Sequence, residues 1–297
     1  MTGPIRRIVV AVGSAFKEDP VLAPALALGR ELGARLHVVH VFDLPDVVSH
    51  TYSREGHDPE NLRDRYEKEL RGALEDQVAA HEGPPETECL VVRGSTADGV
   101  AEAVSRVGAE LVVVGASREP HKLRNTLGTV AERVIAHSPC PVLVVKREAV
   151  IPLRRVLTTT DLSDDAGDVF DRALDAVDWL ARGTPEVRCL FTVPELVSFV
   201  PVIKDRKEGE ETERAQAKLV HFLQDRKQRS APIAPRVRTG SPAGEIVAEA
   251  REWEADLVVF GSHGRTGTAR LLLGSVAAAA IRDIGCNALV VPLHRDS

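Results

Sequence analysis

The residues best suited to chemistry lie near the C-terminal end of the chain. Gly261, Gly264 and Gly267 fall within seven residues, and Gly274-Ser275-Val276 begins ten residues beyond Gly264. A segment this rich in glycine can turn backbone N–H groups toward an anion with no Cβ in the way. If Gly274-Ser275 opens a helix, it adds unpaired N–H donors, the positive end of the helix dipole and the Ser275 hydroxyl. The chemistry implied is phosphate binding. A turn followed by a helix start explains any one of these glycines, but not the whole spaced set. His263 and Arg265 read as loop-shaping or ligand contacts rather than catalysts.

Far upstream, Thr159-Thr160-Asp161-Leu162-Ser163 closes a short apolar run. A carboxylate at the end of a strand can accept a hydrogen bond from a base or sugar and so orient a nucleotide. Helix capping or loop polarity explains Asp161 equally well. Thr192 and Val193 end the next run, where their backbone either meets an adenine edge or simply packs. Two familiar nucleotide motifs are missing: there is no G-x-x-x-x-G-K-[ST], and the glycines after 260 do not follow G-x-G-x-x-G. The 261–275 segment holds no Lys, Asp or Glu, so nothing local holds a metal or activates water. Any ATP hydrolysis is expected to be slow.

The elements that must position these residues are written twice. Arg93–Val145 aligns with Thr239–Val291 at a constant offset of 146 without a gap, pairing Gly94 with Gly240, Gly115 with Gly261, Gly128 with Gly274 and Cys140 with Cys286. Arg7-Ile8-Val9-Val10 matches Arg155-Val156-Leu157-Thr158 at an offset of 148. Each copy alternates short apolar runs with helical periods. The runs are Ile8–Val12, Leu36–Phe42, Glu88–Val92, Leu111–Val114 and Val142–Val145, then Val156–Thr160, Val187–Val193, Arg236–Thr239, Leu257–Phe260 and Ala288–Val291. Runs such as LVVV and LVVF show no in/out alternation, as parallel strands covered on both faces require. The expectation is two α/β modules, 1–148 and 149–297, each a five-stranded parallel sheet with helices on both faces. In such sheets ligands bind at the strand C-terminal ends where the strand order reverses. Phe170, Leu174, Val177 and Ala181 form one apolar stripe, with Ser163 as the expected N-cap.

The first copy departs from the second at both critical places. Gly13 stands where Asp161 would be, Arg118 stands where Gly264 would be, and Pro120 lacks an N–H to offer. The first copy is therefore expected to be degenerate and structural.

Composition narrows the classes. The chain has 297 residues, 43% hydrophobic and 28% charged, with a formal charge of -6, so its field repels nucleic acid and anionic membranes. Few aromatics and no apolar run near the roughly 18 residues of a membrane span leave a cytoplasmic protein as the expectation. The four cysteines are dispersed without metal-ligand spacing and read as buried thiols. The charged segments Asp46–Pro85 and Leu196–Pro235, with runs such as Lys204–Arg214, should each hold an amphipathic helix and a mobile loop.

The spacing Gly261-x2-Gly264-x9-Gly274-Ser275, preceded by LVVFGSHGR and paired with Asp161, resembles the ATP-binding class of the universal stress protein family. The repeat extends that resemblance over essentially the whole chain. The resemblance implies Rossmann-like modules of the adenine nucleotide alpha hydrolase-like type, packed as an internal pseudo-dimer through their last strands. It implies ATP, with Mg at most as a companion, held by Thr160 and Asp161, by Thr192 and Val193, and by Gly261, His263, Gly264, Gly274, Ser275 and Val276. An adenine nucleotide is then the expected partner and stress response the expected role, with homodimerisation left open. Two alternatives stand beside it: a scaffold that binds a metal, lipid or protein through the charged segments, and a slow ATP hydrolase or transferase.

Overall fold

The computed structural model describes residues 5–43, 59–81, 83–84, 86–116, 127–147, 151–194, 201–226, 232–262 and 273–292. In the N-terminal module the elements are β1 (Arg7–Val12), α1 (Leu22–Leu32), β2 (Arg35–Phe42), α2 (Pro59–Ala80), β3 (Glu88–Arg93), α3 (Thr96–Val107), β4 (Leu111–Gly115), α4 (Thr129–His137) and β5 (Val142–Val145). The C-terminal module repeats them as β6 (Arg155–Thr159), α5 (Ala166–Ala181), β7 (Glu186–Val193), α6 (Pro201–Gln224), β8 (Ile233–Thr239), α7 (Pro242–Glu252), β9 (Leu257–Gly261), α8 (Ser275–Asp283) and β10 (Asn287–Val291).

The strands form one sheet in the order β3-β2-β1-β4-β5-β10-β9-β6-β7-β8. Every pairing is parallel except β5 with β10, which run antiparallel with Leu143 opposite Leu289. The two modules thus meet through their last strands, as the resemblance implies. The runs without alternation are buried on both sides: Leu111–Val114 and Leu257–Phe260 are fully buried. One face of the sheet is covered by α1, α2, α5 and α6, the other by α3, α4, α7 and α8, and each core runs continuously through both modules. Side chains along β1 alternate between the two cores, with Ile8, Val10 and Val12 in one and Val9 and Ala11 in the other.

Helix ends follow from local chemistry. Gly33 and Gly108 close α1 and α3 at φ 63°, a left-handed position that costs glycine nothing. The Ser95 hydroxyl accepts the Asp98 N–H and starts α3. At α5 the expectation needs correction. The N-cap position is Asp165, and the Ser163 hydroxyl is donated to Asp161 Oδ1 at 2.7 Å instead of capping the helix. The charged run Lys204–Arg214 lies within the 24-residue α6, the amphipathic helix expected in that segment.

The junction between modules is stitched beyond its strands. Asn287 Oδ1 accepts the N–H groups of Lys146 (2.9 Å) and Arg147 (3.1 Å). The Lys146 ammonium donates to the Arg282 and Ile284 carbonyls at the C-terminal end of α8, where a cation is favoured. Carrying this register outward puts Cys140 and Cys286 at opposite ends of the β5–β10 pair, roughly 20 Å apart at ~3.4 Å per residue. Burial pushes both thiols up to about 11 and that of Cys189 up to about 12, so they stay protonated and inert.

Candidate functional site

The switch point of the C-terminal module is where β6 and β9 part. Their last paired residues are Thr158 and Val259. Beyond them the Thr160 N–H turns to the Leu190 carbonyl of β7, while the Ser262 N–H turns to the Val291 carbonyl of β10. Two neighbouring chains bonding away from each other open a crevice at their C-terminal ends. Thr159 Oγ1 donates to the Val259 carbonyl at 3.0 Å and ties its floor together.

Asp161 stands on the β6 side of this crevice. Its Oδ1 accepts the Ser163 N–H (3.1 Å) and the Ser163 hydroxyl (2.7 Å). Its Oδ2 is buried and has no hydrogen-bond partner among the described residues. A buried carboxylate oxygen without a donor is costly, and such costs persist where a ligand supplies what the chain does not. Across the crevice, the Gly274 N–H donates to the Ser262 carbonyl at 3.1 Å, returning the chain to the end of β9 where α8 begins. The first intrahelical bond is from the Ala278 N–H to the Gly274 carbonyl. The amides of Ser275, Val276 and Ala277 therefore have no partner inside the helix and carry its positive end. Val276 is one of two large hydrophobic side chains, among the described residues, that lie exposed.

The structure thus brings Thr160, Asp161, Gly261, Gly274, Ser275 and Val276 to one end of the β6–β9 pair. Thr192 and Val193 end β7 one strand away, and the Val193 carbonyl already accepts the Gly240 N–H at 2.9 Å. His263 and Gly264, with Arg265 and Gly267, lie outside the described residues. An acceptor without a donor among the described residues, on the same end of the sheet as amides that have no partner inside α8, fits a ligand with donor groups at one end and negative charge at the other. Among the described residues no cluster of His, Cys, Asp and Glu has the makings of a metal site. No helix there is long and apolar enough to cross a membrane.

The matching crevice of the N-terminal module is filled from within. β1 and β4 part after Ala11 and Val114. Here the Asp19 carboxylate accepts the Gly13 N–H on Oδ2 (2.7 Å) and the Val21 N–H on Oδ1 (3.0 Å). A Cβ built on Gly115, at the end of β4, would meet the Val21 Cβ at 3.3 Å and Asp19 Oδ1 at 3.8 Å. Asp19 and Val21 therefore sit between the two strand ends. The connection that carries them is longer than its counterpart, residues 13–21 against 160–165, because α1 starts a turn later than α5. Arg118 and Pro120 lie outside the described residues. Asp19 was not visible as a site residue in the sequence, since its role depends on the loop doubling back.

A second difference between the modules also escaped the sequence. In the C-terminal module, Glu249 of α7 is 1% exposed and accepts Arg188 (2.8 Å), Arg236 (3.2 Å) and Arg238 (2.9 Å) from β7 and β8. Arg238 also holds Glu245 and Glu252, and the Arg188 guanidinium lies 4.2 Å from the Trp253 ring centre. Burial alone would raise the Glu249 carboxyl, but the three guanidiniums outweigh it and hold it below the usual range. At an offset of 146 the positions of Arg236, Arg238 and Glu249 are Leu90, Val92 and Ala103 in the N-terminal module.

Sequence comparison agrees with this architecture. The family model described as Universal stress protein family matches residues 4–146 and again 152–292. A universal stress protein of Synechocystis sp. is 34% identical over 95 residues, covering 32% of this chain and 61% of that protein. One from Methanocaldococcus jannaschii is 52% identical over 52 residues, covering 18% of this chain and 31% of that one. The chain thus spans less than two thirds of the length of either relative. The crystal structure of a universal stress protein from Archaeoglobus fulgidus shares the fold, with a TM-score of 0.58 at 19% identity over 97% of each chain. With two matches that together take in nearly every residue, on a sheet built twice from the same order of strands, the chain belongs to the universal stress protein family and carries two of its modules in tandem.

Proposed function

We propose that this tandem protein, with modules at 1–148 and 149–297, is a cytoplasmic stress-response sensor that binds ATP in its C-terminal module. The observation that carries the reading is Asp161 Oδ2, a buried acceptor with no donor among the described residues, at the mouth of the β6–β9 crevice. The α8 amides at Ser275, Val276 and Ala277 supply the opposite end, where phosphates and any accompanying Mg would lie. Thr192 and Val193 border the base, Gly261 lies on the phosphate side, and the family resemblance assigns His263 and Gly264, which lie outside the described residues, to that side too. The N-terminal module is assigned no nucleotide, because Gly13 stands in place of Asp161 and the Asp19 carboxylate occupies the end of its crevice, so removing Asp19 alone would not restore the missing acceptor.

Calorimetric titration of the full chain with ATP tests this. One ATP per chain is the expected stoichiometry. Replacing Asp161 with Ala should weaken binding by about tenfold to a hundredfold, the worth of one hydrogen bond to a charged group. Two ATP per chain, or an Asp161→Ala variant that binds as tightly as the parent, would overturn the assignment.

A further inference from the structure

We infer that Ser163 is a positioning residue for the ligand of the C-terminal crevice, acting through Asp161. The inference rests on the reading that a nucleotide binds there. Both donors of Ser163 are spent on one oxygen of Asp161: the N–H at 3.1 Å and the hydroxyl at 2.7 Å, each to Oδ1. A carboxylate free to rotate would share those donors between its two oxygens. Pinned through Oδ1, it keeps Oδ2 as the oxygen a ligand must satisfy, and the ligand displaces no internal hydrogen bond in doing so.

The turn around Ser163 is shaped for this purpose. Leu162 has φ 55°, a left-handed conformation that a leucine side chain disfavours. Its N–H is held by Thr160 Oγ1 at 3.1 Å, and its side chain packs on the core beneath. This kink folds Ser163 back over Asp161. On its other side the Ser163 carbonyl accepts the Ala166 N–H at 3.0 Å, so the turn is anchored to the start of α5. The N-terminal module supplies the contrast within the same chain. At an offset of 148, Asp161 and Ser163 correspond to Gly13 and Ala15, so the carboxylate and the hydroxyl that orients it are missing together. There the strand-end N–H at Gly13 is given to Asp19 instead.

The test is a mutant cycle on the full-length protein, read as ATP affinity by calorimetry. Threonine and valine have the same shape and differ by the hydroxyl, so Ser163→Thr and Ser163→Val separate orientation from packing. Ser163→Val should weaken ATP binding about tenfold while Ser163→Thr stays within about twofold of the parent. In an Asp161→Ala background Ser163→Val should have no further effect, since a residue acting through Asp161 has nothing left to orient. Equal affinities for the valine and threonine variants, or losses that add in the double variant, would overturn the positioning role while leaving the site intact. An Asp161→Ala variant that binds like the parent would remove the site itself, and this inference with it. If the valine variant does not fold, Ser163→Ala enters the same cycle with the same expectations.

Discussion

The two modules share one sheet and one order of strands, yet their crevices are finished in opposite ways. At the ends of β6 and β9 a carboxylate keeps one oxygen without a partner among the described residues. At the ends of β1 and β4 a carboxylate from the adjoining loop has both oxygens engaged by the chain's own N–H groups. The frame responsible for both is the doubly buried strand, whose apolar side chains do not register what the loops at its ends are doing. Each buried Val or Leu contributes about 1.5–3 kcal/mol, so the strands hold their places while the loops diverge. Duplication thus leaves a second copy whose loops can diverge while it still serves as half of the β5–β10 junction.

That contrast can be broken most severely at Gly264. Gly264→Arg, which imports the side chain found at the same place in the N-terminal module, should abolish ATP binding and leave the melting temperature within a few degrees of the parent. Unchanged affinity would mean that the glycine spacing does not distinguish the modules. The ionic cluster under α7 offers the next largest effect. Glu249→Gln should destabilise the chain by about 2 kcal/mol, less than a fully buried ion pair because the arginines keep part of their hydration. Its pH dependence has a definite sign. Since folding lowers the Glu249 carboxyl, its contribution is present above the ordinary carboxylate value of 4.5 and is lost as the pH falls through the lowered one. Denaturation curves of parent and variant should therefore differ at neutral pH and converge in acid. The smallest effect belongs to Asp19→Ala, which frees the Gly13 and Val21 N–H groups at a cost of about 1 kcal/mol. ATP stoichiometry should stay at one per chain. A second ATP in that variant would show that the carboxylate alone keeps the N-terminal crevice closed.

Much of this was legible in the residues. Unalternating runs such as Leu111–Val114 and Leu257–Phe260 gave the parallel strands, because a strand covered on both faces has no polar side to show. The stripe Phe170, Leu174, Val177 and Ala181 gave the buried face of α5. The start of α8 at Gly274-Ser275 could be read from a glycine followed by a short polar residue. The residue type of Ser163 suits a helix cap, and only the geometry of the turn shows its hydroxyl spent on Asp161. The Leu196–Pro235 segment is expected to hold an amphipathic helix, but its extent through the Lys204–Arg214 run is not legible, since charge hides helical periodicity when few apolar residues mark the buried face.

The sequence by itself determined the duplicated α/β plan, the strand runs and the unequal residues at the strand ends, because each is carried by local residue types, their periodicity and a fixed offset. The tertiary structure alone decided that Asp161 keeps one oxygen unmatched among the described residues and that Asp19 doubles back into the other crevice. It also decided that Cys140 and Cys286 lie at opposite ends of the junction and that three arginines converge on Glu249. These facts depend on which groups meet across strands and loops far apart in the chain. The free energy of such a meeting is set by burial and hydrogen-bond geometry, which no single residue type reveals.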